Sequence, residues 1–222
     1  MDRIPEPELM EGEEQALAYA QADFSDPNRL FVQIFSETFP DHLAGNVLDL
    51  GCGPADILLL FAQKWPTCTI HGVDGSASML QHARHNITTH NMENRIQLIQ
   101  GRLPDLDLPI PSFGAIISNS LLHHLPSPEI IWQTIKNYAT LGTKIMIMDL
   151  MRPENTDAAQ AIVEKYAASE PDILKKDFFN SLLAAYTVDE IKNQLTSHDL
   201  SELTVKTVSN RHLAVSGIIK LS

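Results

Sequence analysis

Between residues 45 and 150 the chain repeats one pattern: a short apolar run, a polar or glycine-bearing turn, then an amphipathic stretch of helical period. Residues 46–50, 69–73, 95–99, 115–118 and 144–150 read as strands. Residues 55–64, a segment capped by Ser76 and running to about Asn86, and one opened by Ser127-Pro128-Glu129 and closed at Gly142 read as helices. Strands that alternate with helices pair in parallel and are covered on both faces by right-handed crossovers. The end of the chain departs from this rhythm. Residues 203–208 and 212–219 are two strands with only a few residues between them, too few for a parallel crossover, so they must form an antiparallel hairpin. The expected fold is α/β and Rossmann-like: a seven-stranded, mostly parallel sheet ending in a hairpin, with helices on both faces.

Helical patterns flank this core. Residues 11–24 carry Leu17, Tyr19, Ala20 and Phe24 at helical spacing. Ser25-Asp26-Pro27 then reads as an N-cap with proline in the first turn, opening a helix that Pro40 stops. Residues 155–186 read as helical with no strand inside, and Thr187-Val-Asp-Glu190 is a capping box for one more helix. With no repeat, low-complexity tract or linker, the chain reads as one domain. Its parts are N-terminal helices (1–44), core (45–150), helical insertion (151–186), and a last helix with hairpin (187–222).

Charge narrows the partners. The 222 residues carry 16 Lys and Arg against 28 Asp and Glu, a net charge of −12, and no run of three basic residues. Such a field repels phosphate backbones, so nucleic acid is excluded and a small molecule is the expected partner. The 2 cysteines, Cys52 and Cys68, have no metal-finger spacing, so neither a disulfide framework nor a metal is expected. The acidic, proline-bearing N-terminus is not expected to be a signal peptide. The longest aliphatic run, residues 57–62, cannot span a bilayer. A cytoplasmic protein without a membrane partner is expected.

Asp49-Leu-Gly51-Cys-Gly53 stands where the first strand turns into a helix. Glycines there permit a tight turn and let a ligand approach the backbone beside the positive end of the helix. Asp74 ends the second strand 21 positions beyond Gly53, the separation at which an acidic side chain accepts hydrogen bonds from ribose hydroxyls. Asp49 is a carboxylate inside the turn and needs donors, such as a cationic amino group or a relaying water. The dinucleotide fingerprint would place a third glycine where Asp56 stands. A nucleoside ligand without phosphate therefore fits better than a nicotinamide dinucleotide.

These residues resemble the motif series of the class I S-adenosylmethionine (SAM)-dependent methyltransferases, small-molecule type, over residues 46–150, and the element order extends the likeness to the hairpin. Val47-Leu-Asp-Leu-Gly-Cys-Gly53 is similar to the first motif, which implies that Asp49, Gly51, Cys52 and Gly53 approach the methionine part of SAM. His71-Gly-Val-Asp74-Gly75-Ser76 is similar to the second, implying Asp74 on the ribose and Met79 over the adenine. Gln100-Gly101-Arg102-Leu103 resembles the adenine-edge segment; many relatives have a small acidic residue at Arg102, so backbone contacts are implied there. Phe113-Gly-Ala-Ile-Ile-Ser-Asn119-Ser120-Leu-Leu-His-His124 resembles the fourth motif, which closes over the methionine end.

Methyl transfer from a sulfonium is an in-line displacement needing alignment and exclusion of water, and a general base only for acceptors such as phenols. His124, with His123 after the fourth strand, is the candidate base, or else a packing residue. Tyr19 lies in helices that, by the resemblance, fold over the cofactor as a lid, and its hydroxyl is the second catalytic candidate. Arg152, after the fifth strand, could clamp a carboxylate-bearing acceptor or pair with a neighbouring acid. The insertion is the expected acceptor lid, with Tyr166 and Tyr186 as substrate contacts and the SAM product S-adenosylhomocysteine released beneath it. A SAM-binding protein that transfers nothing, and a nicotinamide-dependent enzyme, are the alternatives.

Overall fold

In the computed structural model, residues 1–6, 17, 19, 22–108 and 110–220 are described. Most of the helix expected over residues 11–24 lies outside them, although Leu17 and Tyr19 are helical. The expected alternation is present. Strands β1 (Gly45–Leu50), β2 (Cys68–Asp74), β3 (Ile96–Gln100), β4 (Phe113–Asn119) and β5 (Ala139–Leu150) are followed by β6 (Thr204–Thr207) and β7 (His212–Ile218). They form one seven-stranded sheet in the order β3-β2-β1-β4-β5-β7-β6. The β3 to β5 half is parallel throughout, whereas β7 pairs antiparallel with both β5 and β6. The chain thus reaches the far edge with β6 and returns to insert β7 beside β5.

The helices are α1 (Ser25–Thr38), α2 (Asp56–Lys64), α3 (Ala77–Thr89), α4 (Glu129–Tyr138), α5 (Thr156–Tyr166), α6 (Asp172–Ala184) and α7 (Val188–Ser197). Alternate residues of each strand face opposite sides, and two cores result. On one side Val47, Ile70, Ala115, Ile117 and Met146 meet Phe31 and Phe35 of α1, Phe61 of α2 and Trp65 just beyond it. Phe61 packs at 4.9 Å from Phe35 and 4.5 Å from Trp65, ring centre to ring centre. On the other side Leu48, Leu50, Ile116 and Ile145 meet Trp132 and Ile135 of α4 and Ile191 and Leu195 of α7. The α5–α6 insertion has its own small core of Ala159, Val163, Leu182 and Leu183.

Local chemistry explains where boundaries differ from expectation. The α4 segment ends at Tyr138 rather than Gly142, because Gly142 takes a positive φ of 88° inside a strand that already begins at Ala139. The insertion is two helices: α5 ends at Tyr166 with Ala167 as its C-cap, and α6 begins after Pro171, which holds its N-cap position. Thr187 and Glu190 make the reciprocal capping box that starts α7. At α1, Phe24 rather than Ser25 holds the N-cap position. No helix among the described residues is long and apolar enough to cross a membrane.

Phe61 is fully buried between α1 and the sheet. Phe61→Ala should cost roughly 3–5 kcal/mol of unfolding free energy, read as a lowered urea midpoint at unchanged slope.

Candidate active site

The carboxyl ends of β1, β2 and β4 open on a cavity lined by glycine-bearing turns. Gly51 and Gly53 adopt positive φ of 74° and 51°, and a Cβ on Gly51 would meet Leu121 at 2.9 Å, whereas one on Gly53 would meet nothing within 4 Å. Gly53 is therefore the open floor of the turn, where only a ligand would be displaced. Asp74 ties this turn to the next: its Oδ2 accepts from the Gly53 N–H and its Oδ1 from the Ser76 N–H, both at 2.8 Å. The Gly101 N–H reaches the Asp74 carbonyl at 3.1 Å. Burial nonetheless lifts the Asp74 carboxyl above its ordinary range, against these bonds. Ser76 caps α3 by accepting from the Met79 N–H.

Gly51, Gly53, Asp74, Gly75, Ser76, Met79, Gly101, Arg102, Leu103, Asn119 and Ser120 all line this cavity, together with Tyr19 and His124. Buried Asn119 Oδ1 has no hydrogen-bond partner, an acceptor available to an ammonium group. At the N-terminus of α2, Asp56 occupies the place where a pyrophosphate would need the positive end of the helix.

A second cavity, of about 170 Å³, adjoins the first beneath the α5–α6 insertion. Tyr166, Glu170, Leu174 and Phe178 contribute from the insertion, Asp23 and Phe24 from the α1 entry, Arg211 from the β6–β7 turn and His212 from the start of β7. Tyr19, Asn119, Ser120 and His124 line both cavities. They are the shared wall through which any group passed between the two must travel. Ser120 holds a positive φ of 56°, which places the β4 end in this wall.

The wall is electrostatically distinct. Burial, reinforced by Asp56, Asp74 and Asp149, pushes the Tyr19 phenol up to about 12, so it stays protonated and can donate but not abstract. Burial and the neighbouring His123 depress the His124 imidazole. Its Nδ1 lies 3.1 Å from Glu6 Oε1; a carboxylate only accepts, so with no cation between the two, Nδ1 carries the hydrogen in the neutral ring. His123 behaves oppositely: burial opposes its charge, but the Asp149 carboxylate bonded to Nδ1 outweighs this and raises it.

Comparison with known proteins fits this geometry. Residues 47–142 match the family described as methyltransferase domain. That match covers the strands and turns that build the first cavity, and the fold is the one that class I SAM-dependent methyltransferases share. A trans-aconitate 2-methyltransferase of Rhodopseudomonas palustris is 44% identical over 126 residues, covering 56% of this chain and 45% of that protein. A malonyl-[acyl-carrier protein] O-methyltransferase of Priestia megaterium is 31% identical over 103 residues, covering 46% and 35%. The chain thus spans less than half the length of these relatives. Among solved structures, a plantazolicin methyltransferase in complex with SAH superimposes with a TM-score of 0.71 at 14% identity, over 94% of this chain and 90% of that one. A SAM-dependent methyltransferase from Aquifex aeolicus gives 0.67 at 16%, over 92% and 98%.

Within this methyltransferase fold four expected site residues lie apart from the cavities. Asp49 is buried in β1 opposite Gly72 and Ile117, lines neither cavity, and is pushed well up by burial and by Asp74, which disfavours the charge an ammonium contact would use. The Cys52 side chain belongs to the core, where a Cβ on Gly72 would lie 3.0 Å from its sulfur. Arg152 lines neither cavity: its Nη2 pairs with Glu190 at 2.6 Å and its Nη1 donates to the Ala185 carbonyl, fixing α7 to the β5 end. Tyr186 lies under the Arg3 guanidinium at 4.3 Å and lines neither cavity. Tyr166 does reach the second cavity, donating to Asn210 with Arg211 stacked on its ring at 3.5 Å. The sequence reading missed Glu6, Arg211 and His212. Only the long-range return of β7 and of the N-terminus brings them here, a signal no local spacing carries.

Two outcomes follow from these placements. Arg152→Ala should lower stability by roughly 2–3 kcal/mol, less than a fully buried pair because Glu190 is partly exposed, with SAM affinity by calorimetry unchanged. The buried His212 imidazole is depressed from 6.5 to about 4, by burial first and Arg211 second. The unfolded chain takes up that proton at the higher pH, so folding stability is full above pH 6.5 and falls as pH drops towards 4, by up to roughly 3 kcal/mol. Urea midpoints across that interval should fall less steeply in His212→Asn.

Proposed function

We propose that the chain methylates a small-molecule acceptor, using SAM and releasing S-adenosylhomocysteine. One observation carries this reading: two adjoining cavities share a wall of Tyr19, Asn119, Ser120 and His124, and the first is lined by the turns that suit a nucleoside. SAM, when bound, supplies an electrophilic methyl on a sulfonium. The residues fit it: Asp74 has lone pairs left for ribose hydroxyls beyond its two backbone bonds, Met79 and Leu103 offer apolar cover to a base, and Asn119 Oδ1 can accept from an ammonium. Asp56 at the head of α2 argues against a nicotinamide dinucleotide.

The acceptor is a carboxylate-bearing small molecule. Trans-aconitate and malonyl groups, named for the relatives, carry carboxylates, and Arg211 is the one Lys or Arg among the described residues lining the second cavity. Arg211 takes the part expected of Arg152. A carboxylate oxygen needs no base, so the wall residues only align the acceptor and exclude water. The carboxylates Asp23, Glu170 and Asp177 on the same cavity favour a second reading, a cationic amine acceptor. Function in the cytoplasm on a free small molecule is part of the proposal.

Asp74→Ala should weaken SAM binding about 10- to 100-fold, the loss of a charge-assisted hydrogen-bonded carboxylate; unchanged affinity by calorimetry would sink the assignment. With a panel of carboxylates and amines, Arg211→Gln should raise KM for carboxylate acceptors at little change in kcat. Turnover of amines alone selects the second reading, and SAM binding without turnover of either would leave a non-catalytic binder.

A further inference from the structure

Glu6, His123 and His124 converge beside the shared wall although the first stands far from the others in sequence. The ligand-capable atoms of all three lie within 4.8 Å of one another. Glu6 Oε1 is 3.1 Å from His124 Nδ1 and 3.6 Å from His123 Nε2. The longer separation exceeds an ordinary hydrogen bond. Zinc at about 2.0–2.1 Å in a tetrahedral site sets its ligand atoms about 3.3 Å apart, so both separations suit two edges of such a site.

We infer that these three residues form a zinc site with one open position towards the acceptor cavity. The donor set, two imidazoles and a carboxylate, is that of catalytic zinc rather than of the oxygen-only sites of magnesium or calcium. The surroundings are built in the same sense. Asp149 holds His123 at Nδ1, and its Oδ2 accepts from the His123 N–H at 3.1 Å; a carboxylate on the far nitrogen is how metal-bound imidazoles are oriented. Ser181 donates to Glu6 Oε1 at 2.9 Å. Glu6 and His123 side chains are 10% and 3% exposed, so the site is sheltered. Glu6 and Asp149 supply the negative charge that a divalent cation requires. The nearby Arg3 guanidinium is engaged with the carbonyls of Ala184, His123 and Leu125.

His123 and His124 both line the second cavity, so the fourth position is open to an acceptor carboxylate; this last point rests on the methyltransferase reading, the zinc site itself does not. The test is a titration of metal-free, tag-free full chain with zinc alone against a chromophoric chelator. One zinc per chain is expected. Glu6→Gln should weaken it at least about 10-fold, and Asp149→Asn, which touches no metal, about 10- to 100-fold. Glu6 lies on the N-terminal segment outside the sheet, and circular dichroism together with SAM calorimetry on Glu6→Gln establishes that this variant is folded. No zinc uptake by the wild-type chain, or equal affinity in folded Glu6→Gln, overturns the inference. Loss of SAM binding in the wild type with ligand-dependent zinc uptake would instead overturn the methyltransferase reading and leave the zinc site standing.

Discussion

The Asp74 carboxylate is the tie on which the candidate cofactor cavity depends. Its two oxygens accept from the first turn at Gly53 and from the second at Ser76. Its own carbonyl receives the Gly101 N–H from the third. Three loops after three parallel strands are thereby held to one residue. An oxygen accepting one backbone hydrogen bond keeps a lone pair, so the same carboxylate that fixes the loops can still meet a hydroxyl. Burial raises its proton affinity while the two N–H groups oppose protonation. The site is therefore organised before any ligand arrives, which limits what binding must spend on ordering.

The two cavities are made by different parts of the chain. The first belongs to the parallel half of the sheet. The second needs the insertion, the β6–β7 turn and the α1 entry, and residues 1–6 pack beside its histidines. Arg3 and Ile4 hold those residues by bonds to Ala184 and Leu183, which carries Glu6 to His123 and His124. Elements remote in sequence thus meet at the wall where the cavities join.

This division explains what could be read from the sequence. The parallel core, the capping box at Thr187 and the terminal hairpin follow from period and spacing, which are local. So do the turn residues Gly51, Gly53, Asp74 and Gly101, because each sits at a strand end and strand ends converge in this fold. For Arg152 both an acceptor clamp and an acid partner stayed open, because its position after β5 says nothing of its direction, and Glu190, brought near by α7, takes the guanidinium. Cys52 fell in the right turn but faces the core. Arg211 and His212 carried no signal, since their place depends on β7 returning between two strands.

That return has a consequence for how the molecule assembles. All seven residues of β7 pair with β5, so β5 keeps one edge bare until residues 212–218 dock. During synthesis the parallel half can collapse around its aromatic face while Ile145, Met146, Ile147 and Met148 still await a partner strand. An apolar strand with a free edge is an invitation to pair with another chain. The nascent chain is therefore vulnerable to aggregation along β5 until residues 212–218 dock, and β7 is what closes that window.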